Sequence, residues 1–246
     1  MPALVKFCKP EHNILDRCHT IRLGTFEYYR DMDPSFAIAD ATEGSELVDI
    51  DSLDTSTASR ESLAALAGSG ALAAQSFCKI ENIRLNVIFP NCYIWCCSRL
   101  PDPITAEQGP KFDAAYTSFY KISDERRFGE HLGSLLMTNI TRTSFAEPAL
   151  DILDRLSIAE MGELQLVRFQ HDVLYVEQKL STIDEGNLNA YAREIPPLLR
   201  PLFVKPNKYA NDREYRFVFL FQHLRHGPLA VRKDPVDLPV IPIQGI

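Results

Sequence analysis

The chain has 246 residues, of which 46% are hydrophobic and 24% charged, enough to bury a sizeable core without disulfide or metal staples. A net charge of -7 provides no global field favouring nucleic acid. Six cysteines (Cys8, Cys18, Cys78, Cys92, Cys96, Cys97) form no Cys-x-x-Cys pair and no zinc spacing, and no apolar run approaches a membrane span. The opening Met1-Pro2-Ala3-Leu4-Val5-Lys6 does not read as a signal peptide. These features predict a cytoplasmic protein with reduced, mostly buried thiols, built as a single domain over 1–246.

Leu4–Cys8 reads as a first strand, and Pro10–Arg17 as a turn with a short helix. His19–Gly24 alternates as a strand, and Thr25 caps a short helix over Phe26–Arg30. Between Asp31 and Asp54 lie eight carboxylates and no Lys or Arg, which predicts a solvated acidic loop rather than a metal site. Ser59–Ala67 is helical by pattern, and its Ala/Ser/Gly-rich surroundings mark a candidate mobile insertion around 52–76. Strands follow at Phe77–Phe89 and Cys92–Ser98, the latter so apolar that it should be buried on both faces.

Helices are predicted over Phe112–Tyr120, Asp124–Met137 and Pro148–Leu156. Glu163–Phe169 and Val173–Glu177 alternate as strands, and a helix near Leu188–Ile195 stops at Pro196-Pro197. Strands at Leu202–Lys205 and Arg216–Phe221 flank a polar segment. A proline-rich tail from Leu229 onward is extended and suits a sheet edge. Helices and strands mix without regular βα alternation. The expected fold class is therefore α+β, with a mixed, mostly antiparallel sheet and flanking helices.

The dinucleotide and phosphate-loop glycine fingerprints are absent, as are the serine-hydrolase elbow and the His-Glu-x-x-His helix. A nuclease motif comes closest at Glu163-Leu164-Gln165, which lacks the lysine. Three polar clusters remain. Arg22, on a strand just before Gly24-Thr25, can offer a bidentate fork to a phosphate or ribose while Gly24 admits the ligand to the backbone. Equally, Arg22 can pair with the acidic residues that follow it. Tyr116, Phe119 and Tyr120, with Lys121, Arg126 and Arg127, read as a core stripe first and a stacking platform second. The third cluster joins Lys205, Lys208, Tyr209, Arg213, Glu214 and Arg216. Strand alternation puts Glu214 and Arg216 on one face, where the guanidinium would lower the carboxyl pKa and keep it ionised. The pair suits a catalytic carboxylate, and it equally suits a structural ion pair.

Phe203-x-Lys205, Tyr209 and Glu214-Tyr215-Arg216 resemble the C-terminal signature of a bacterial domain family: Phe-x-Lys, an aromatic, then Glu-x-Glu-x-Arg. Arg22-Leu23-Gly24-Thr25, Asp40-Ala41-Thr42-Glu43-Gly44 and Trp95-Cys96-Cys97-Ser98 resemble its other conserved segments. The chain departs at Asp212, where the family often has its first Glu, and lacks the family's tryptophan before Tyr120. The resemblance implies a component of an anti-phage or toxin system, with a partner protein of such a system and an unknown protein or nucleic-acid target.

More loosely, the order Arg22, Ser98 or Tyr120, then Glu214 is similar to the ADP-ribosyltransferase superfamily. That similarity implies a split antiparallel sheet and NAD as substrate, with no metal. Arg22 with Gly24-Thr25 would hold the ribose or phosphate, Tyr120 would stack on nicotinamide, and Lys205 and Arg216 would support Glu214 at the ribose. The alternative is a non-catalytic sensor or binding module of a defence system, in which the same cluster binds a ligand or braces the sheet.

Overall fold

A computed structural model describes residues 2–16, 18–32, 40–54, 79–177, 180–184, 195 and 199–240. The protein is α+β, as expected. The chain divides into two compact units. The first comprises Met1–Ala41, Pro90–Val173 and Ala210–Ile246; the second comprises Thr42–Phe89 and Leu174–Tyr209. The segment after Ala41 contributes to a separate three-stranded sheet. The proposed insertion and the helices expected at 59–67 and 188–195 lie outside the described residues, apart from 52–54 and Ile195.

The first unit carries an eight-stranded sheet. Its strands are β1 (Ala3–Cys8), β2 (Thr20–Thr25), β5 (Tyr93–Leu100), β6 (Ser118–Ile122), β7 (Leu164–Asp172), β11 (Glu214–His223), β12 (Gly227–Leu229) and β13 (Val236–Pro239). Every pairing in it is antiparallel. β11 is central, flanked by β7 on one edge and by β5 and then β12 on the other. β5 carries the split. Its edge away from β11 pairs with β2 at Ile94 and Tyr93 and with β1 from Ser98 to Leu100. One branch continues as β1–β6 and the other as β2–β13. Between the branches the Cys96 carbonyl accepts a hydrogen bond from Lys6 Nζ at 2.6 Å, so a side chain does what a strand backbone does elsewhere.

Alternation along β11 sorts the two faces. Tyr215, Phe217, Phe219 and Phe221 join Tyr93, Trp95 and Cys97 in the main core. Helix α2 (Glu125–Asn139), capped by Asp124 on the Arg127 amide, packs on this face. Its Gly129 is a fitted contact, because a Cβ there would lie 2.9 Å from the Phe217 ring. Helices α1 (Phe26–Arg30), α3 (Glu147–Leu153) and α4 (Ile158–Met161) complete the unit.

The helix expected over 112–120 is absent. Residues 106–111 form a 3-10 turn, and Ser118–Ile122 pairs with β1 as β6. The β-branched and aromatic run that follows Thr117 favours a strand once an edge is open to it.

In the second unit, β3 (Ser45–Asp54) lies between β4 (Lys79–Ile88) and β9 (Leu180–Asp184). β8 (Leu174–Val176) and β10 (Val204–Pro206) pair in parallel beside the one-turn helix α5 (Arg200–Phe203). The acidic stretch is thus not the solvated loop its composition predicts. Ser45–Asp54 is a strand, and Glu46, Val48 and Ile50 alternate onto a buried face. No helix among the described residues is long and apolar enough to cross a membrane.

Candidate functional site

Glu214 opens β11 and Arg216 follows two residues later, so both project from one face, as alternation predicts. Arg216 Nε donates to Glu214 Oε1 at 2.5 Å. The arginine side chain is fully buried and the carboxylate side chain is 8% exposed. A guanidinium at this distance favours the ionised carboxylate and fixes its direction. The residue directly across the ladder from Glu214 is Ser98 of β5, also buried, and Arg216 faces Cys96.

β2 continues this face. Gly24 pairs with Ile94, which in turn pairs with Val218, so Gly24 and Arg22 share the parity of Glu214 and Arg216. Arg22, Ser98 and Glu214 therefore belong to three strands of one sheet and point to the same side of it. Tyr120 does not join them. It is 5% exposed in the main core on the opposite face, where burial holds its hydroxyl well above the usual phenol range. Stacking of Tyr120 on a nicotinamide is thereby excluded. Of the two middle residues the sequence allows, only Ser98 shares the face of Glu214.

The remaining expectations at β2 need correction. Among the described residues the acidic stretch after Arg22 does not pair with it. Instead Nε and Nη2 donate to the two carboxylate oxygens of Asp237 on β13, each at 2.8 Å. This hydrogen-bonded fork holds the Asp237 carboxyl below its ordinary value. Gly24 does not open the backbone to a ligand, since a Cβ there would lie 2.6 Å from the Tyr29 ring. Thr25 is engaged as the cap of α1, accepting from the Tyr28 amide and donating to the Lys233 carbonyl at 2.6 Å. Lys121, Arg126 and Arg127 pair with Asp102, Glu130 and Asp124 at the surface and form no basic platform.

Lys205 belongs to the second unit. Its side chain is 6% exposed, its ammonium lies 3.7 Å from Glu43 Oε2, and Tyr209 presents its ring at 5.1 Å. In the same unit Arg200 grips Glu46 with Nε and Nη2, both 3.2 Å from Oε1. Glu43 and Lys205, 162 positions apart in the chain, therefore meet within this unit. Buried pairs of this kind add little net stability, which makes them candidates for function. Composition alone concealed Glu43 and Glu46, because an acidic run has the same count whether it is solvated or folded into a strand. Among the described residues no group of three or more His, Cys, Asp or Glu is placed to hold a metal. Burial raises the Cys92 and Cys97 thiols far above their ordinary values, so neither is a thiolate nucleophile near neutral pH.

On the opposite face at the mouth of β11, Arg99 lies 4.5 Å over the Tyr215 ring and bonds Asp172 at 2.7 Å and Glu125 at 2.9 Å. Burial first, then the Glu125 charge, pushes the Tyr215 hydroxyl from 10.0 up to about 12. The unfolded chain loses this proton first as pH rises. The Tyr215 contribution to stability is therefore complete below about pH 10 and lost as pH rises through about 12. Ultraviolet titration of phenolate absorbance should show one tyrosine fewer ionising near pH 12 in the Tyr215→Phe variant.

No protein-family model, curated protein or solved structure matches this chain.

Proposed function

We propose that the protein consumes NAD in the manner of an ADP-ribosyltransferase, with Arg22, Ser98 and Glu214 on the working face of the first unit. The observation that carries this reading is the shared face: the three residue types stand on β2, β5 and β11 in the required order, with Ser98 directly across from Glu214. Arg22 would take the phosphate or ribose through its fork. Ser98 would hold the nicotinamide ribose, and Glu214, fixed by Arg216, its 2′-hydroxyl. The glycosidic bond breaks with its electron pair leaving on nicotinamide, and Glu214 stabilises the positive charge that develops on the ribose. An acceptor group or water then attacks that carbon and gives up a proton. A role as a cytoplasmic toxin or anti-phage effector follows from the resemblance around Phe203–Arg216, and with it a target macromolecule and a partner protein of a defence or toxin–antitoxin system.

Burial of the Glu214–Arg216 pair favours a second reading, a non-catalytic sensor or binding module in which the pair braces the sheet. Nicotinamide release from NAD, with labelling of lysate, separates the two. Wild type is expected to turn over, and Glu214→Gln to lose about 10²–10³-fold, the usual size of a lost transition-state contact. Ser98→Ala leaves the ion pair intact and is expected to lose about tenfold, one hydrogen bond's worth. If wild type leaves NAD intact and labels nothing, the enzyme reading is wrong and the binding module stands.

A further inference from the structure

The Arg22 guanidinium is held in a fork-to-fork arrangement. Its Nε and Nη2 each lie 2.8 Å from one oxygen of Asp237. Those two donors, side by side and in plane, are also the ones arginine presents to a phosphate. Asp237 is the direct cross-strand neighbour of Arg22 in the β13–β2 ladder, so the carboxylate is delivered to the fork by strand register. Both side chains remain in water, 62% and 48% exposed, and water screens an exposed pair so that it is weakly held. An arriving anion therefore meets a weak incumbent.

The strand that carries Asp237 is anchored independently of it. Leu238 is fully buried in the main core. The Val240 amide donates to the His19 carbonyl at 2.8 Å. Lys233 is tied through its carbonyl to Thr25 at 2.6 Å and through its ammonium to Asp31 at 2.7 Å. β13 can stay in its ladder while the one side chain turns outward.

We infer that Asp237 is a built-in competitor at the anion site of Arg22. It fills the guanidinium fork until the diphosphate of a dinucleotide displaces it, and so sets a threshold for ligand binding. The inference rests on the proposed role of Arg22 in holding the NAD phosphates. Its consequence is regulatory: occupancy of the site reflects competition between a tethered carboxylate and a free diphosphate.

The test is calorimetric titration of the full chain with inorganic pyrophosphate and, separately, with NAD. The proteins are wild type, Asp237→Asn, Asp237→Ala, Arg22→Gln and the Arg22→Gln/Asp237→Asn double variant. Removing a competitor held by an exposed pair should tighten pyrophosphate binding about fivefold in both Asp237 variants. The gain should vanish in the double variant, and thermal melts should confirm that each variant folds. If Arg22→Gln weakens binding while both Asp237 variants bind like wild type, Arg22 holds the anion unopposed. The competitor inference then fails and the reading of the site survives. If neither ligand binds any variant, the reading of Arg22 fails and takes this inference with it.

Discussion

Arg216→Met is expected to lower the unfolding free energy by about 3–5 kcal/mol, because it strands the Glu214 carboxylate in a buried position without its counter-charge. The guanidinium it removes is fully buried and 2.5 Å from that carboxylate. The measurement is urea unfolding monitored by circular dichroism, with the slope m compared to confirm that the unfolded state is unchanged. The Glu214→Leu/Arg216→Met double variant removes both charges and should recover most of the loss, since a buried pair is close to break-even against an apolar replacement. A single-variant loss below about 1 kcal/mol would mean that solvent reaches the pair and would remove the argument from burial. The result bears on function too. A carboxylate held this firmly is pre-oriented, which the NAD reading requires and the bracing reading equally predicts. The stability series therefore has to be read beside the nicotinamide assay.

Phe217→Ala is the second large effect, about 3–5 kcal/mol for emptying a large buried aromatic site. Phe217 is fully buried. Its ring meets Trp95 at 5.8 Å, Phe128 at 5.6 Å and Tyr215 at 5.3 Å, all edge to face. α2 is shaped to it at Gly129, so the helix cannot settle into the vacancy without moving its backbone. Trp95 is the only tryptophan in the chain, so its fluorescence reports on this cluster alone. Emission should shift to the red in Phe217→Ala and much less in Phe217→Leu. An unshifted spectrum together with a loss under about 1 kcal/mol would show that the aromatic cluster does not hold α2 to the sheet.

Several parts of this molecule were legible residue by residue. The Thr25 cap and the helix after it follow from a local rule, one side-chain oxygen serving one nearby amide. The burial of β5 follows from an unbroken apolar run. The common face of Glu214 and Arg216 follows from a period of two and nothing else. Local pattern is a poor guide where neighbours in space decide. Phe112–Tyr120 carries aromatics that suit a helix stripe, yet part of it is a strand because β1 offers a free edge. Gly24 looks like an opening for a ligand, yet Tyr29 covers it.

The sequence by itself determined the α+β class, the position of the strands that carry Arg22, Ser98 and Glu214, and the ion pair at the start of β11. These rest on interactions between residues a few positions apart, which periodicity records. Tertiary structure alone decided that Ser98 and not Tyr120 stands beside Glu214 and that Glu43 and Glu46 are buried with Lys205 and Arg200. It also decided that the fork of Arg22 holds Asp237, 215 residues away. Those outcomes depend on which strand edges meet and in what register, and register is set by the burial of whole faces rather than by any local pattern.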